Sequence, residues 1–510
     1  MRRAGPADRR RRDASARRVG PAPLLRFLAL VAVSCAGTAA ARSLDPHGFL
    51  AAQAVAGLER HAVPGVAYAV IEEGVVTRIG GHGRVRAGGG APVTKDTLFQ
   101  VASLSKPVTA TAILALVEAG RLDLDAPVGR YLSRWQLPAG PHDPDGVTVR
   151  RVLSHTAGLS LPFYPGFAPG TPRPALEASL AGSGDGTDGL FVKAEPGAAY
   201  AYSGGGYTLL QLLVEEVTGE RFDRAMERMV LGPLGMRSAS FAPLEGAPRV
   251  AQAHDAALHP IANRRFSAQA AAGLHASVED LARFVIANLD AHPVLAPETA
   301  ARMQRRVEVA SGPSPFGLGF HVQAGDRLVG HSGANLGFRA RMAFVPEQRA
   351  GLVVLTNAES GADLVEDLFC AWDAAFAIGL LRGSCEQSLR ARAVRVAAGR
   401  AFATIATGAL LLALFGLATG RRALRVPLGT GRKLALVATA LASFVWTGVC
   451  FTPLGAGLFA GVALEGRTLD YASPSLRPLI VSLFPVLAAV ALWLLTGPVA
   501  RGRPPRGAEA

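Results

Sequence analysis

Thr97-Leu-Phe-Gln-Val-Ala-Ser-Leu-Ser-Lys106 is the stretch on which the fold turns. Its first half is β-rich, and Pro107 opens a run over 107–119 with helical apolar spacing that stops at Gly120. Ser103 and Lys106 therefore stand where a strand-like segment meets a helix. On a helix, positions i and i+3 share a face, so the Lys106 amine can reach the Ser103 hydroxyl. A serine oxygen is a weak nucleophile until a base takes its proton. A desolvated lysine can have its pKa lowered enough to be that base, and a helix start offers backbone N–H groups where an oxyanion would form. Taken alone, the pattern also fits a helix start with an exposed lysine. Ser105, two positions from Ser103, points elsewhere.

Gly65-Val-Ala-Tyr-Ala-Val-Ile71 and Val75-Val-Thr-Arg-Ile79 flank Glu73-Gly74 as a hairpin, with Glu72 and Glu73 at its tip. The spacing predicts an amphipathic helix over 207–218, closed by Gly219, and the triple glycine Gly204-Gly-Gly206 reads as a tight turn before it. Strands are predicted over 328–330, 338–345 and 351–356, and a helix over 361–378. Strands at both ends of 43–380 with helices between them predict an α+β unit, a sandwich whose single antiparallel sheet is assembled from both termini. No internal repeat is present.

Two more elements stand at telling separations. Tyr202-Ser-Gly204 lies immediately before a predicted helix, and His331-Ser-Gly333 lies between two predicted strands. With Ser103-Leu-Ser-Lys106 they resemble the ordered S-x-x-K, Y-x-N and K/H-T/S-G motifs of the class C β-lactamase and penicillin-binding-protein family of serine hydrolases. The flanking text is similar too: Leu122-Asp-Leu-Asp-Ala-Pro-Val128, Val149-Arg-Arg-Val-Leu-Ser-His-Thr-Ala-Gly-Leu159, Pro233-Leu-Gly-Met236 and Ala272-Gly-Leu-His-Ala-Ser-Val-Glu-Asp-Leu-Ala282. The resemblance covers roughly 45–378.

It implies a β-lactamase/transpeptidase-like fold, the sheet flanked by helices with an all-helical subdomain. It also implies roles. Ser103 is the acylated nucleophile, Lys106 its activating partner and Tyr202 the proton shuttle, the choice of base between the last two staying open. His331, Ser332, Gly333 and Gly204 are implied substrate contacts, His331 donating to a substrate carboxylate or to Tyr202. The backbone N–H groups of Ser103 and Ala334 form the implied oxyanion hole. Gly204 replaces the usual Asn and His331 the usual Lys, which moves the expected substrate from β-lactams toward peptides and esters. His155 is implied to be a loop-packing residue. No phosphate loop follows the glycine run, since no Gly-Lys-Ser/Thr accompanies it, and neither cofactor nor metal is expected.

Half of the 510 residues are hydrophobic and the net charge is +14; mean hydropathy is +0.27. The basic excess is concentrated at 1–42 and 380–510, leaving the middle at about −5, so the charge reads as membrane topology and not as nucleic-acid binding. Residues 1–41 read as a signal peptide cleaved after Ala41, with an uncleaved anchor or lipidation at Cys35 as alternatives. After a linker over 381–400, apolar stretches at 401–419, 434–464 and 478–499 are expected to span a membrane, ending in a basic tail over 500–510. Arg421, Arg422, Arg425, Arg432 and Lys433 place the first loop in the cytosol, which puts the hydrolase unit outside. Arg390, Arg392, Arg395 and Arg400 argue mildly against that orientation. Cys370 and Cys385 would then share an oxidising compartment, as a disulfide or as two thiols. The expected partners are a small peptide, ester or β-lactam substrate and the lipid bilayer. A catalytically inactive membrane sensor is the alternative, opposed by the retention of Ser103, Lys106 and Tyr202 together.

Overall fold

The computed structural model describes residues 45–394, apart from 183–186 and 245–248, and a few short pieces beyond (397, 415, 419, 422–424 and 496–498). Helix α1 (Pro46–Arg60) starts at Asp45, whose carboxylate accepts the Gly48 N–H, with Pro46 in the first turn. Strands β1 (Gly65–Glu72) and β2 (Val75–Arg86) follow, joined by Glu73 and Gly74, both at positive φ (51° and 80°) as a tight primed turn requires. β3 (Gly89–Pro92) forms the sheet edge. Helix α2 (Ser105–Glu118) and helix α3 (Gly204–Thr218) belong to a helical middle section, and α4 (Val278–Leu289) leads back to the sheet. Then come β4 (His321–Gln323), β5 (Leu328–Asn335), β6 (Phe338–Val345), β7 (Ala350–Thr356) and helix α5 (Gly361–Ala375). A further helix, α6, covers 382–394.

The seven strands are ordered β4-β5-β6-β7-β1-β2-β3, every pairing antiparallel. The N-terminal hairpin is thus welded to the C-terminal meander, Val66 opposite Thr356 and Ile71 opposite Gly351. β1 and β7 are central strands buried on both faces, which is why their sequences are continuous apolar runs. Val66, Tyr68 and Val70 face α1 and α5, packing with Leu364, Leu368 and Trp372. Ala67, Ala69 and Ile71 face α4 and the helical section. Each such buried aliphatic side chain contributes roughly 1.5–3 kcal/mol, so the core on both sheet faces sets the frame in which the helical section is held.

Three boundaries differ from the sequence reading. β5 runs through His331-Ser-Gly333 to Asn335, because its whole length pairs with β6. Gly204–Gly206 are the first turn of α3, capped by the Ser203 hydroxyl, because the packing there excludes side chains. Thr496–Pro498 pair as a short strand with Arg422–Leu424, so the third apolar stretch is not helical to residue 499. Among the described residues no helix is long and apolar enough to cross a membrane. The N-terminal segment 1–41 and nearly all of the three apolar stretches lie outside the described residues.

Candidate active site

Val101 ends the strand-like entry, and Ala102 adopts φ 52°, a left-handed conformation that costs a non-glycine residue on the order of 1 kcal/mol. The turn is braced by Ser105, whose hydroxyl donates to the Ala102 carbonyl at 2.6 Å and accepts the Leu274 N–H at 3.0 Å. Ser105 therefore points away from Ser103, as its spacing predicts, and holds the turn that presents the nucleophile. The single 3₁₀ turn Ala102–Leu104 then passes into α2.

Lys106, one turn on, is buried to 2% exposure. Its Nζ donates to Ser103 Oγ at 3.1 Å and to the Ala271 carbonyl at 2.7 Å. No carboxylate pairs with it in these contacts, and burial pulls the amine from its ordinary 10.5 to about 7. Tyr202 donates to the same Ser103 Oγ at 3.0 Å. The lysine ammonium also sits over the Tyr202 ring, 5.0 Å from its centre.

Tyr202 is positioned from behind by His155. That histidine is buried, sits at φ 55°, accepts the Ser203 N–H on Nδ1 at 3.1 Å and packs 4.2 Å from the Tyr202 ring. Burial, reinforced by the nearby Lys106, holds His155 well below its ordinary pKa, so it is neutral. It is a packing residue, as the sequence suggests, but what it packs is the tyrosine of the site.

Opposite the nucleophile runs β5. Gly333 is what allows its approach, for a Cβ there would lie 2.3 Å from the Val101 carbonyl. Gly204 is equally confined: a Cβ would lie 2.9 Å from the Pro162 carbonyl, which accepts the Gly204 N–H at 3.0 Å. The loop at Pro162 fills the room where the related asparagine side chain would project.

Ser103, Lys106, Tyr202, Gly204, Ser332, Gly333 and Ala334 line one cleft of about 440 Å³. His331 does not line it, contrary to the expectation of a substrate contact. It is 4% exposed and its Nδ1 lies 2.6 Å from the Ser332 carbonyl, which fixes the proton on that nitrogen. Its Nε2 has no hydrogen-bond partner, so no bond to Tyr202 is made. Strand alternation is the reason, since His331 and Gly333 face the helical section while Ser332 faces the opening. Burial, with His321 and Lys106 nearby, keeps His331 neutral.

The sequence reading missed Arg341 and Glu366. Arg341 lies opposite Ser332 in the register, with its guanidinium 4.2 Å over the Phe369 ring and 3.1 Å from the Glu366 carboxylate. Both line the cleft. The only available signal was an arginine at an alternate position of an apolar strand. Arg339, also in the cleft wall, is ion-paired with buried Glu359, which in turn accepts the Gly337 N–H and so fixes the β5–β6 turn. A larger cavity of about 620 Å³ lies beyond Gln100 and His275 and does not reach Ser103. Among the described residues the one cluster of metal-ligand types is Glu366, Cys370 and Cys385, and the two sulfurs are bonded to each other.

The cleft thus holds a serine oxygen in contact with a buried, readily deprotonated amine and a phenol. The family model for β-lactamase matches residues 50–375. Penicillin-binding protein 4 of Amycolatopsis lactamdurans is 29% identical over 341 residues, covering 61% of this chain and 84% of that protein. Esterase EstB of Burkholderia gladioli is 30% identical over 295 residues, covering 48% and 73%. The octameric penicillin-binding protein homologue from Pyrococcus abyssi superposes with a TM-score of 0.55 at 25% identity, over 65% of this chain and 77% of that one. With the match running from α1 to the end of α5 and enclosing every residue that touches Ser103, the chain belongs to the β-lactamase family of serine hydrolases.

Proposed function

We propose that the protein is a membrane-anchored, extracytoplasmic hydrolase that cleaves a peptide, amide or ester through an acyl-enzyme on Ser103. The observation that carries this is the convergence of Lys106 Nζ and Tyr202 Oη on one oxygen, at 3.1 and 3.0 Å. With its pKa near 7, Lys106 is substantially a free amine at neutral pH and accepts the Ser103 proton as Oγ attacks the substrate carbonyl. The backbone N–H groups of Ser103 and Ala334 receive the oxyanion, each such donor being worth about 2.7–4 kcal/mol in the transition state. Tyr202 delivers a proton to the departing amine or alkoxide, and the reverse sequence lets water release the acyl group.

Peptides and esters are favoured over β-lactams because Gly204 offers no amide and neutral His331 offers no cation to the cleft. Arg341 is the cleft cation that meets a substrate carboxylate, through guanidinium edges not engaged by Glu366. The relative named as an esterase supports the ester class, and the one named as a penicillin-binding protein keeps β-lactams among the ligands of the cleft.

Anchoring is supported by the three apolar stretches after residue 400 and the basic loop over 421–433. The Cys370–Cys385 disulfide supports an oxidising, extracytoplasmic setting. Arg392, one of the basic residues that opposed this orientation, is neutralised by Asp363 and Asp367.

The test is labelling of the purified protein with a fluorescent fluorophosphonate and a fluorescent penicillin, wild type beside Ser103→Ala. The expected result is a serine-dependent adduct and turnover of p-nitrophenyl esters or D-Ala peptides exceeding that of nitrocefin. Absence of any serine-dependent adduct or turnover overturns the hydrolase reading.

A further inference from the structure

Helix α6 leaves the catalytic unit in an unexpected place. It lies antiparallel on α5: Cys385 is bonded to Cys370, the Ser388 hydroxyl donates to Glu366 at 3.4 Å, and Arg392 pairs with Asp363 and Asp367 at 3.3 and 3.0 Å. These contacts step backward along α5 as the chain steps forward along α6. The end of α6 therefore arrives at the beginning of α5, and that end of α5 is the rim of the cleft, where Ala362, Val365 and Glu366 line the opening. Glu366 touches both sides, accepting from Ser388 of α6 and from Arg341 of the cleft wall.

The dock is built, not incidental. It combines a covalent bond, a two-carboxylate clamp on one guanidinium and a buried Cys385 at 8% exposure. Asp373 secures the approach to α6 by accepting the Leu380 and Leu381 N–H groups at 2.7 and 2.8 Å. Leu389 and Val394 of α6 are 51% and 66% exposed, Leu389 on the flank of the docked face and Val394 away from it; Arg382 and Arg390 are exposed as well, Arg390 paired with Glu386. Apolar side chains beside arginines are the composition of a surface that lies at a lipid headgroup layer. From Val394 only residues 395–400 precede the first apolar stretch. Six residues reach at most about 20 Å when fully extended, and about 9 Å as helix.

We infer that α6 holds the mouth of the cleft at the membrane surface, so that the enzyme draws its substrate from the bilayer: an amphiphile whose scissile amide or ester lies at headgroup level. The inference rests on the membrane-anchored hydrolase reading and deepens it by naming where the substrate resides. It also gives the dock a purpose that simple tethering lacks, since a flexible linker would anchor equally well but leave the cleft free to face any direction. Hydrolysis itself is unchanged: water adds across the acyl bond, the acid is released, and the amine or alcohol departs with a proton.

The experiment uses the full chain reconstituted in phosphatidylcholine/phosphatidylglycerol vesicles. Ser103 is labelled with a fluorescent fluorophosphonate, and quenching by headgroup spin-labelled lipid is measured. In parallel, unlabelled protein hydrolyses soluble p-nitrophenyl acetate and vesicle-borne p-nitrophenyl palmitate. Three proteins are compared: wild type; an insertion of about twenty Gly/Ser residues after Ala398, a coil spanning ~25 Å; and Cys385→Ser combined with Arg392→Glu. The expected result is quenching in wild type, reduced in both variants. The palmitate rate should fall about tenfold or more while the acetate rate holds, because the longer or loosened linker lowers the effective concentration of vesicle-borne ester at the cleft. If the protein resists carbonate extraction yet is unquenched, or its palmitate-to-acetate ratio is the same in wild type and the insertion variant, the inference is overturned and anchoring stands. If carbonate releases the wild type from the vesicles, the anchoring reading fails first. The insertion follows the last described residue of α6 and leaves every dock contact in place, so a folding failure in the double variant leaves the comparison intact.

Discussion

Lys106→Met should separate what the buried amine costs the fold from what it gives the reaction. The fall of the Lys106 pKa from 10.5 to about 7 corresponds to about 5 kcal/mol of discrimination against the charged form. Between those two values the unfolded chain holds the proton and the folded chain does not, so wild-type stability rises with pH from 7 toward 10.5. Below pH 7 the cost is fully present. Methionine fills similar space without a proton and removes that slope. It also leaves the Ala271 carbonyl without its 2.7 Å donor, which costs roughly 1–3 kcal/mol. The variant should therefore be about 2–4 kcal/mol more stable than wild type at pH 7. Its advantage should shrink by about 1.4 kcal/mol per pH unit and reverse between about pH 8.5 and 10. Urea denaturation of the solubilised chain at pH 7, 8, 9 and 10 measures the difference. The same substitution should abolish ester turnover, and wild-type kcat/KM should rise about tenfold per unit up to pH ~7 and then flatten. Denaturation midpoints of the two proteins that stay parallel from pH 7 to 10 would refute the reasoning, because Lys106 would then titrate alike in both states.

Tyr202→Phe removes the hydroxyl 3.0 Å from Ser103 Oγ and should lower kcat about 10²–10⁴-fold with an unchanged circular dichroism spectrum. Gly333→Ala places a methyl 2.3 Å from the Val101 carbonyl, so β5 must retreat; a loss of about 1–3 kcal/mol and slower fluorophosphonate labelling are expected. Gly204→Asn, which restores the common family residue, should not raise nitrocefin turnover, because its Cβ meets the Pro162 carbonyl at 2.9 Å. Burial holds His275, His292 and His321 at about 4, so the unfolded chain takes up protons first as pH falls below 6.5. Stability should therefore drop by about 3 kcal/mol per histidine between pH 6.5 and 4, and an acid titration followed by tryptophan fluorescence checks it.

The central architecture was legible because burial leaves a mark on composition. β1 and β7 are apolar on both faces, the Glu73-Gly74 turn needs positive φ, and Gly219 closes α3 at φ 72°. The nucleophile and its two contacts were legible because one helical turn joins Ser103 to Lys106, while Tyr202 was reached only through the family's motif order. What stayed hidden depends on tertiary neighbours. The glycines at 204–206 look like a turn until the Pro162 loop and Leu190 are seen pressed against them. His331 looks like a substrate contact until the pleat turns it inward. Arg341 and Glu366 meet only because α5 packs across β6 and β7, a contact with no local signature.

The pairing of β1 with β7 also sets a schedule. Ile71 lies opposite Gly351, 280 residues later in the chain. At ordinary synthesis rates that delay is on the order of tens of seconds. Throughout it the β1–β2 hairpin offers an open edge and two apolar faces, an arrangement prone to wrong partners. Contacts this distant in sequence also slow the search for the native state by raising the loop-closure entropy that precedes them. A nascent chain ending before residue 350 has its nucleophile, lysine and tyrosine already made, yet lacks the central strand that locks the sheet together. Competence therefore arrives late and at once, when the last strand slides in beside the first.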